Sequence, residues 1–388
     1  MTLMATHPHP IWIPRTLELP ALLASRSHFL LGPRQTGKTA LIRHSLPTAQ
    51  IYDLLDTAVY LSLAHTPNRI AQEVQPQTTL VVIDEIQRLP DLLNDVHQLI
   101  ESRGVRFLLT GSSARKLRRG GVNLLGGRAR VAHLHPLTSH ELGEHFDLSR
   151  ALGRGLLPAI YFSDDPQADL QAYTGLYLEQ EVVAEGATRN IPAFSRFLKV
   201  AAQCNATVVN FTSVANDAQV KRTTVYEYVH ILQDTLILHE VPAWRKSIKR
   251  KPLASSKYYF FDVGVVGALQ GRPFRPGTPE FGEAFETFML HELISFRDYV
   301  GGEPISYWGS QSGFEVDFLI GDHTAVEVKA KSTLSSQDLK SLQALAEEAR
   351  LKRLLCVSLE SRRRTVGTLT LLPYRTFLQE LWSGRYRA

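Results

Sequence analysis

Eight residues between two apolar stretches carry the first chemistry in the chain. Gly32-Pro33-Arg34-Gln35-Thr36-Gly37-Lys38-Thr39 follows Phe29-Leu30-Leu31 and precedes Ala40-Leu41-Ile42. Glycine, four residues, then Gly-Lys-Thr is the spacing of a loop that wraps a polyphosphate. Glycines at 32 and 37 let backbone amides curl around an anion with no side chain in the way. A helix beginning near Lys38 turns the positive end of its dipole toward that anion. Lys38 is expected to reach the outer phosphates of ATP and the Thr39 hydroxyl to ligate Mg²⁺.

The acids that complete such a site stand at the end of Thr79-Leu80-Val81-Val82-Ile83-Asp84-Glu85. A continuous apolar run ending in carboxylates reads as a buried parallel strand that delivers acids at its C-terminal edge. Asp84 is placed to hold Mg²⁺ through its water shell, and Glu85 to orient or activate the attacking water. A further apolar run, 105–109, ends in Thr110-Gly111-Ser112-Ser113. Thr110 and Ser112 are candidates to sense the γ-phosphate, and a helix N-cap at Ser112 or Ser113 before residues 114–117 is an equal reading. Arginines gather at Arg115, Arg118, Arg119, Arg128 and Arg130. Arg128, after Gly126-Gly127, is the choice for a guanidinium offered to the nucleotide of a neighbouring subunit, against a solvated basic loop.

A second constellation lies near the other end. Residues 281–296 read as a helix with Phe285, Phe288, Met289, Leu293 and Phe296 on one side, followed by strands at 305–308, 313–320 and 324–329 with a turn at 321–323. A helix at 337–350 and a strand at 354–357 come next. Period-two alternation puts Glu315, Asp317 and Leu319 on one face, and Glu327 and Lys329 on one face of the next strand. Asp317 and Glu327 could then hold Mg²⁺ beside Lys329 and hydrolyse a phosphodiester. Cross-strand ion pairs would give the same letters.

The rest of the chain must position these groups. At 388 residues it accommodates two or three domains, read as 1–160, 161–255 and 256–388, and 44% hydrophobic with 21% charged residues is ordinary globular composition. A net charge of +5 is compatible with nucleic acid and does not establish it. Cys204 and Cys356 show no zinc or disulfide spacing, and no apolar run reaches a membrane span, so a cytoplasmic location is expected. Between the ends, residues 211–241 read as helix, turn, helix and strand, the order of a winged helix-turn-helix. Gln219 stands where the turn usually has glycine. Lys221, Arg222, Thr223, Thr224 and Tyr226 would face DNA, or the unit packs only against its neighbours. The run 245–251, then Lys257, is either a phosphate contact or a solvated loop before a strand at 258–261.

Residues 32–39, Asp84-Glu85-Ile86-Gln87, 110–113 and 126–128 resemble the AAA+ group of P-loop ATPases, in the prokaryotic branch whose Walker motifs read like GPRQTGKT and DEIQ. The resemblance implies a sensor strand between the two Walker strands and a site completed by another copy of the chain. Asp317 with Glu327-Val328-Lys329 resembles the PD-(D/E)XK nucleases. That likeness implies a further glutamate from the preceding helix, with Glu286 as the better match and Glu292 as its competitor. As a whole the chain is similar to a prokaryotic family with an ATPase module, a winged helix and a C-terminal domain of unknown function. The expected fold class is therefore α/β, with an AAA+-like parallel-sheet domain, a winged helix-turn-helix segment and a restriction-endonuclease-like end. Three functions are open: an ATP-regulated nuclease acting on DNA, an ATP-driven switch with an inactive nuclease-like domain, and a toxin-like component of a stress module.

Overall fold

The computed structural model describes residues 12–66, 68–113, 124–177, 190–272 and 274–387. Arg115, Arg118, Arg119, the helix expected at 114–117 and the part of a helix expected beyond Tyr177 lie outside the described residues.

Five short strands form the first sheet, β1 (Ser27–Leu31), β2 (Gln50–Asp53), β3 (Leu80–Asp84), β4 (Arg106–Gly111) and β5 (Ala129–His133). They pair in the order β2-β3-β4-β1-β5, all parallel, so β4 lies between the strand that enters the phosphate loop and the strand that ends in Asp84. Alternation explains the continuous apolar runs. Phe29, Leu31, Val81, Ile83, Phe107 and Leu109 enter one core, and Leu30, Val82 and Leu108 enter another on the opposite face. The three central strands have both faces covered and are apolar through their middles, whereas the edge strands β2 and β5 are partly exposed and carry polar residues. The helix Leu92–Arg103 buries Leu92, Leu93, Val96 and Leu99 against the first face, and the helix Lys38–Ser45 buries Leu41 and Ile42 against the second.

The middle of the chain runs helix Ile191–Gln203, β6 (Thr207–Val208), helices Phe211–Asp217 and Arg222–Asp234, β7 (Leu238–Val241) and β8 (Lys257–Phe260). The three strands form an antiparallel sheet in the order β6-β8-β7. Gln219 takes the left-handed turn itself, at φ 56°. Lys221, Arg222, Thr223 and Tyr226 are exposed and Thr224 is half-buried. The boundary drawn at 255 cuts between the paired strands β7 and β8, and the one drawn at 160 falls inside the helix Pro158–Tyr161. Sequence composition shifts there, but hydrogen bonding and packing do not.

The C-terminal sheet contains β9 (Ile305–Gly309), β10 (Glu315–Ile320), β11 (Thr324–Lys329), β12 (Arg353–Ser358), β13 (Arg364–Val366) and β14 (Leu369–Pro373), ordered β13-β14-β12-β11-β10-β9. The helix Pro279–Phe296 covers one face and buries thirteen of its eighteen residues. The register of β10 against β9 shifts between Val316 and Leu319. Leu319 consequently joins Val316 in one core while Phe318 joins the other, so Leu319 does not share a face with Asp317 as strict alternation predicted. A bulge of this kind re-aims one side chain without ending the strand.

The helix expected at 337–350 is shorter, a 3₁₀ turn Ser336–Leu339 followed by helix Lys340–Ala346. The chain leaves the helix so that Glu348 can serve the basic run. Its buried carboxylate accepts from the backbone amides of Ile248, Lys249 and Arg250 at 2.7–3.1 Å and from Arg250 Nη1 at 2.7 Å. Arg250 also meets Glu347 at 2.8 Å, Lys246 meets Asp322 at 2.5 Å, and Arg245 donates to the Ala254 carbonyl at 2.8 Å. The segment is a largely exposed loop, with carboxylates and a carbonyl holding three of its cations and Lys249 and Lys251 exposed.

One expected outcome follows from that nest of amides. Glu348→Ala leaves three backbone donors without their acceptor and takes one of two carboxylates from Arg250, and should destabilise the chain by about 2–4 kcal/mol. Chemical denaturation checks this; a loss indistinguishable from that of a surface Glu→Ala control would show that the nest is not a structural anchor.

Candidate functional site

The phosphate loop is built by two left-handed residues, Gln35 at φ 64° and Gly37 at φ 94°. Gly32 is needed for a different reason, since a Cβ there would lie 2.3 Å from the carbonyl oxygen of Leu134. Thr36 is fully buried, with its hydroxyl donating to the Pro33 carbonyl at 3.0 Å, and its own carbonyl accepts from Arg15 Nη1 at 2.7 Å. The Arg34 carbonyl accepts from the Tyr173 hydroxyl at 3.3 Å, tying the loop to the middle of the chain. Lys38 turns its ammonium onto the carbonyls of Gly32 and Pro33, at 2.7 and 3.0 Å. These are the loop's own oxygens, in the place where phosphate oxygens would compete for the same donor.

Thr39, Asp84 and Thr110 meet at the C-terminal edge of the sheet. Thr39 Oγ1 donates to Asp84 Oδ2 at 2.8 Å, and Thr110 Oγ1 donates to Asp84 Oδ1. Thr110 also accepts from the Glu85 amide at 3.1 Å, holding a residue forced to φ 62°. A hydroxyl and a carboxylate facing each other beside a phosphate loop are the hard oxygen donors Mg²⁺ takes, and their chemistry fits that ion. Gln87, the last residue of the Asp84-Glu85-Ile86-Gln87 segment, was given no role from the sequence, yet its side-chain amide donates to the Glu85 carboxylate and lies 3.5 Å from Ser112 Oγ. The available signal was its place two residues after Glu85, within one tight turn.

Arg128 is far from this edge. β5 pairs with β1 in parallel with Ala129 opposite Ser27, so Arg128 lies at the start of the strands and the phosphate loop at their end. Five residues of strand separate them, about 16 Å of extended chain. Arg128 pairs with Glu101 there.

The C-terminal acids gather around a lysine that the sequence reading had attached to the basic run. Lys257 is 1% exposed, and its ammonium lies 2.5 Å from Glu315, 3.3 Å from Glu286 and 4.0 Å from Asp317. Strand alternation explains this. Tyr258 and Phe260 of β8 turn into the core of the middle unit, while Lys257 and Tyr259 turn toward the helix Pro279–Phe296. Tyr259 donates to Glu286 at 2.6 Å. Asp317 Oδ2 accepts from the Val328 amide at 2.7 Å, and Lys329 pairs with Glu327 at 2.5 Å. The other oxygen of Glu327, Oε2, is buried with no hydrogen-bond partner among the described residues.

Thus the structure brings Glu286, Asp317, Glu327 and Lys329 together and adds Glu315 and Lys257. Glu292, the competing helix glutamate, is committed elsewhere. It accepts from the Ser139 amide at 2.6 Å, the Ser139 hydroxyl at 2.9 Å and Trp382 Nε1 at 2.7 Å. Burial pushes Glu286 up to about 7, with Asp317 adding to the effect, and burial with the same neighbour raises Glu327 well above its ordinary value. Burial alone would lower Lys257, but Glu286, Asp317 and Glu315 outweigh it and hold the ammonium charged.

Comparison with known proteins divides the chain in three. Residues 24–143 match the family model of the AAA domain, 145–275 match a domain of unknown function (DUF8612), and 281–377 match another (DUF4143). The N-terminal unit is thus a P-loop domain of AAA type. Uncharacterized proteins of Mycobacterium tuberculosis and Mycobacterium bovis are each 27% identical over 84% of this chain and 75% of their own length. Among solved structures, the replication initiator DnaA bound to AMPPCP and single-stranded DNA is 14% identical, covering 54% of this chain and 82% of that one with a TM-score of 0.29. The ORC1 protein of Aeropyrum pernix in complex with DNA is 15% identical, covering 69% and 94%, with a TM-score of 0.27. Among the described residues no helix is long and apolar enough to cross a membrane.

Glu292 gives a pH dependence with a definite sign. Burial raises its carboxyl from 4.5 to about 7, so between those values the folded chain holds a proton that the unfolded chain has lost. Stability should fall as pH rises through that window, by up to roughly 3 kcal/mol from this group. Glu286 acts in the same direction. Glu292→Gln should therefore flatten, without abolishing, the decline in unfolding free energy measured by urea titration between pH 5 and 8. An unchanged slope would show that Glu292 does not titrate in this range.

Proposed function

We propose that the chain binds and hydrolyses MgATP at the edge of its first sheet, and that nucleotide state regulates a phosphodiester-cleaving site in the C-terminal domain. The observation that carries the first half is the chain of contacts Thr39–Asp84–Thr110–Glu85 beside an intact phosphate loop. In this reading residues 32–37 wrap the phosphates with their amides, and Lys38 exchanges its two carbonyl partners for phosphate oxygens. Mg²⁺, held through Thr39 and Asp84, supplies charge neutralisation for the departing diphosphate. Glu85 accepts the proton of the attacking water. Before it can do so it must leave Gln87, so Gln87 and Ser112 form a latch on the base. Arg128 completes the site of a neighbouring copy of the chain.

For the second half, Asp317 and Glu327 supply oxygens for a divalent cation, and the unpartnered Oε2 of Glu327 is the atom that fits one. Lys329 steadies the charge that develops on the cleaved phosphate. DNA is the expected substrate, approached through the exposed Lys221, Arg222 and Tyr226 of the middle unit, which we read as a winged helix. A second reading, an ATP-driven switch that binds DNA or a protein partner without cutting, is favoured by Lys257, whose ammonium already contacts three of the acids.

Three variants separate these readings. Lys38→Ala and Glu85→Gln should each lower phosphate release from ATP by about 10²-fold or more, Glu85→Gln while retaining nucleotide binding. Lys329→Ala should abolish Mg²⁺- or Mn²⁺-dependent cleavage across a panel of duplex, single-stranded and branched DNA while leaving ATP hydrolysis in place. ATP hydrolysis that survives both N-terminal substitutions would sink the ATPase assignment. Hydrolysis by wild type with no cleavage of any substrate would select the switch.

A further inference from the structure

The acids of the C-terminal domain converge on a nitrogen. Glu286 comes from the long helix, Glu315 and Asp317 from β10, and the ammonium between them from β8 of a different unit. The Lys257 stem passes the ring of Tyr307, 5.5 Å from the ammonium to the ring centroid, and the side chain is 2% exposed. The ammonium itself has no bulk water to return to, while the Glu315 carboxylate it meets reaches solvent. Resting on the reading of this cluster as a divalent-cation site, we propose that the Lys257 ammonium is a tethered cation standing where a second metal ion would otherwise be held, so that the domain takes one divalent cation only.

Charge supports the assignment. Glu286, Glu315, Asp317 and Glu327 carry four negative charges when ionised, Lys257 and Lys329 two positive ones, and −4 + 2 leaves −2. One divalent ion cancels that remainder, and two would overshoot it. Geometry divides the acids the same way. Glu286 and Glu315 each turn one oxygen, Oε1, onto Lys257, and that of Glu286 also accepts from Tyr259. Glu327 keeps a buried oxygen without a partner, and Asp317 stands between, with Oδ1 4.0 Å from Lys257 and Oδ2 taken by the Val328 amide. Among the described residues no group of three or more His, Cys, Asp or Glu is arranged to hold a metal ion. Three acids do converge, and a lysine nitrogen is at the point of convergence.

A tethered ammonium differs from a metal ion in chemistry as well as charge. It donates hydrogen bonds but cannot bind a water and lower its pKa, which is what one ion of a two-metal site does for the attacking nucleophile. The single ion on the Asp317 and Glu327 side would then serve both ends of the displacement, with Lys329 as its only cationic helper.

The test counts ions instead of cuts. Full-length, nucleotide-free protein in an Asp84→Asn background, which removes the phosphate-loop ion, is titrated with Mn²⁺, and bound ion is followed by electron paramagnetic resonance. The parent should bind one Mn²⁺, Lys257→Arg one, and Lys257→Met two, with spin coupling between neighbouring ions in Lys257→Met alone. A Lys257→Met protein that binds one ion with unchanged affinity overturns the proposal and leaves the metal reading standing. A parent that binds none overturns the metal reading itself, and this proposal with it. Should Lys257→Met not fold, Glu315→Gln decides, because that side chain is 41% exposed and touches only the Lys257 side. Mn²⁺ affinity should then stay within about twofold, and loss of the bound ion would place it on the Lys257 side and overturn the proposal.

Discussion

A charge taken out of water must meet a partner, and in this chain the partners lie far away in sequence. Arg15 is buried and holds together four segments: the Thr36 carbonyl of the phosphate loop, the His135 carbonyl after β5, Glu141, and the Tyr299 hydroxyl of the C-terminal domain. Lys257 joins the middle hairpin to the long helix and to β10. Glu348 gathers the amides of residues 248–250. Each such group would cost several kcal/mol if left alone, so the three units cannot separate without exposing or stranding charge. The apolar core obeys the same constraint. Leu137, Leu142 and Leu152, from the stretch after the first sheet, pack in one cluster with Phe285, Phe288 and Val326.

This gives the two sites a physical connection. The stretch that follows β5 leaves the first sheet beside Gly32, where the Leu134 carbonyl closes off the loop, and its next residues dock on the C-terminal helix. His135 pairs with Asp298 at 2.7 Å, His291 meets the Leu137 carbonyl at 3.0 Å, and Ser139 meets Glu292. Arg15, which holds the loop through Thr36, also contacts Tyr299 of the C-terminal unit, and Leu134, which abuts Gly32, is followed directly by His135, which pairs with Asp298. Phosphates entering the loop would redirect the carbonyls of residues 32 and 33 that now hold Lys38, at Gly32 itself and at the Pro33 carbonyl that also accepts from the Thr36 hydroxyl. Coupling needs a two-state element that both sites bias, and the loop with its Gln87–Glu85 latch is the element positioned for it.

What was legible in the sequence follows from how local each cause is. The phosphate loop and the run ending in Asp84 could be read because one strand-to-turn segment fixes each, and parallel burial demands unbroken apolar letters. The helix 279–296 and the hairpin 315–329 could be read from periodicity. Three features were not legible, each for a non-local reason. Lys257 reads as one more cation after a basic run, and only the pairing of β8 with β7 shows that it faces inward. The bulge after Val316 leaves no mark on the letters, yet it breaks the alternation that had put Leu319 beside Asp317. Glu286 and Glu292 both sit on a helix buried nearly all round, so helical phase could not choose between them, whereas their partners could: Tyr259 and Lys257 for one, Ser139 and Trp382 for the other.

The contrast between those two glutamates bears on why a buried acid cluster exists at all. Glu292 is surrounded by donors that carry no charge, and it meets burial by holding its proton to about 7. That is a stable solution, and a chain needing only a structural anchor could repeat it. Around Asp317 the chain does something costlier: it keeps several carboxylates within a few ångströms and imports a lysine from another unit to offset them. A structural ion pair would need one acid for that lysine, and three are present. Excess acid beside a buried cation, with one oxygen on Glu327 left unsatisfied, is poor design for stability and good design for receiving positive charge. That asymmetry, more than the Glu-x-Lys letters themselves, is the physical ground for treating the C-terminal cluster as a site.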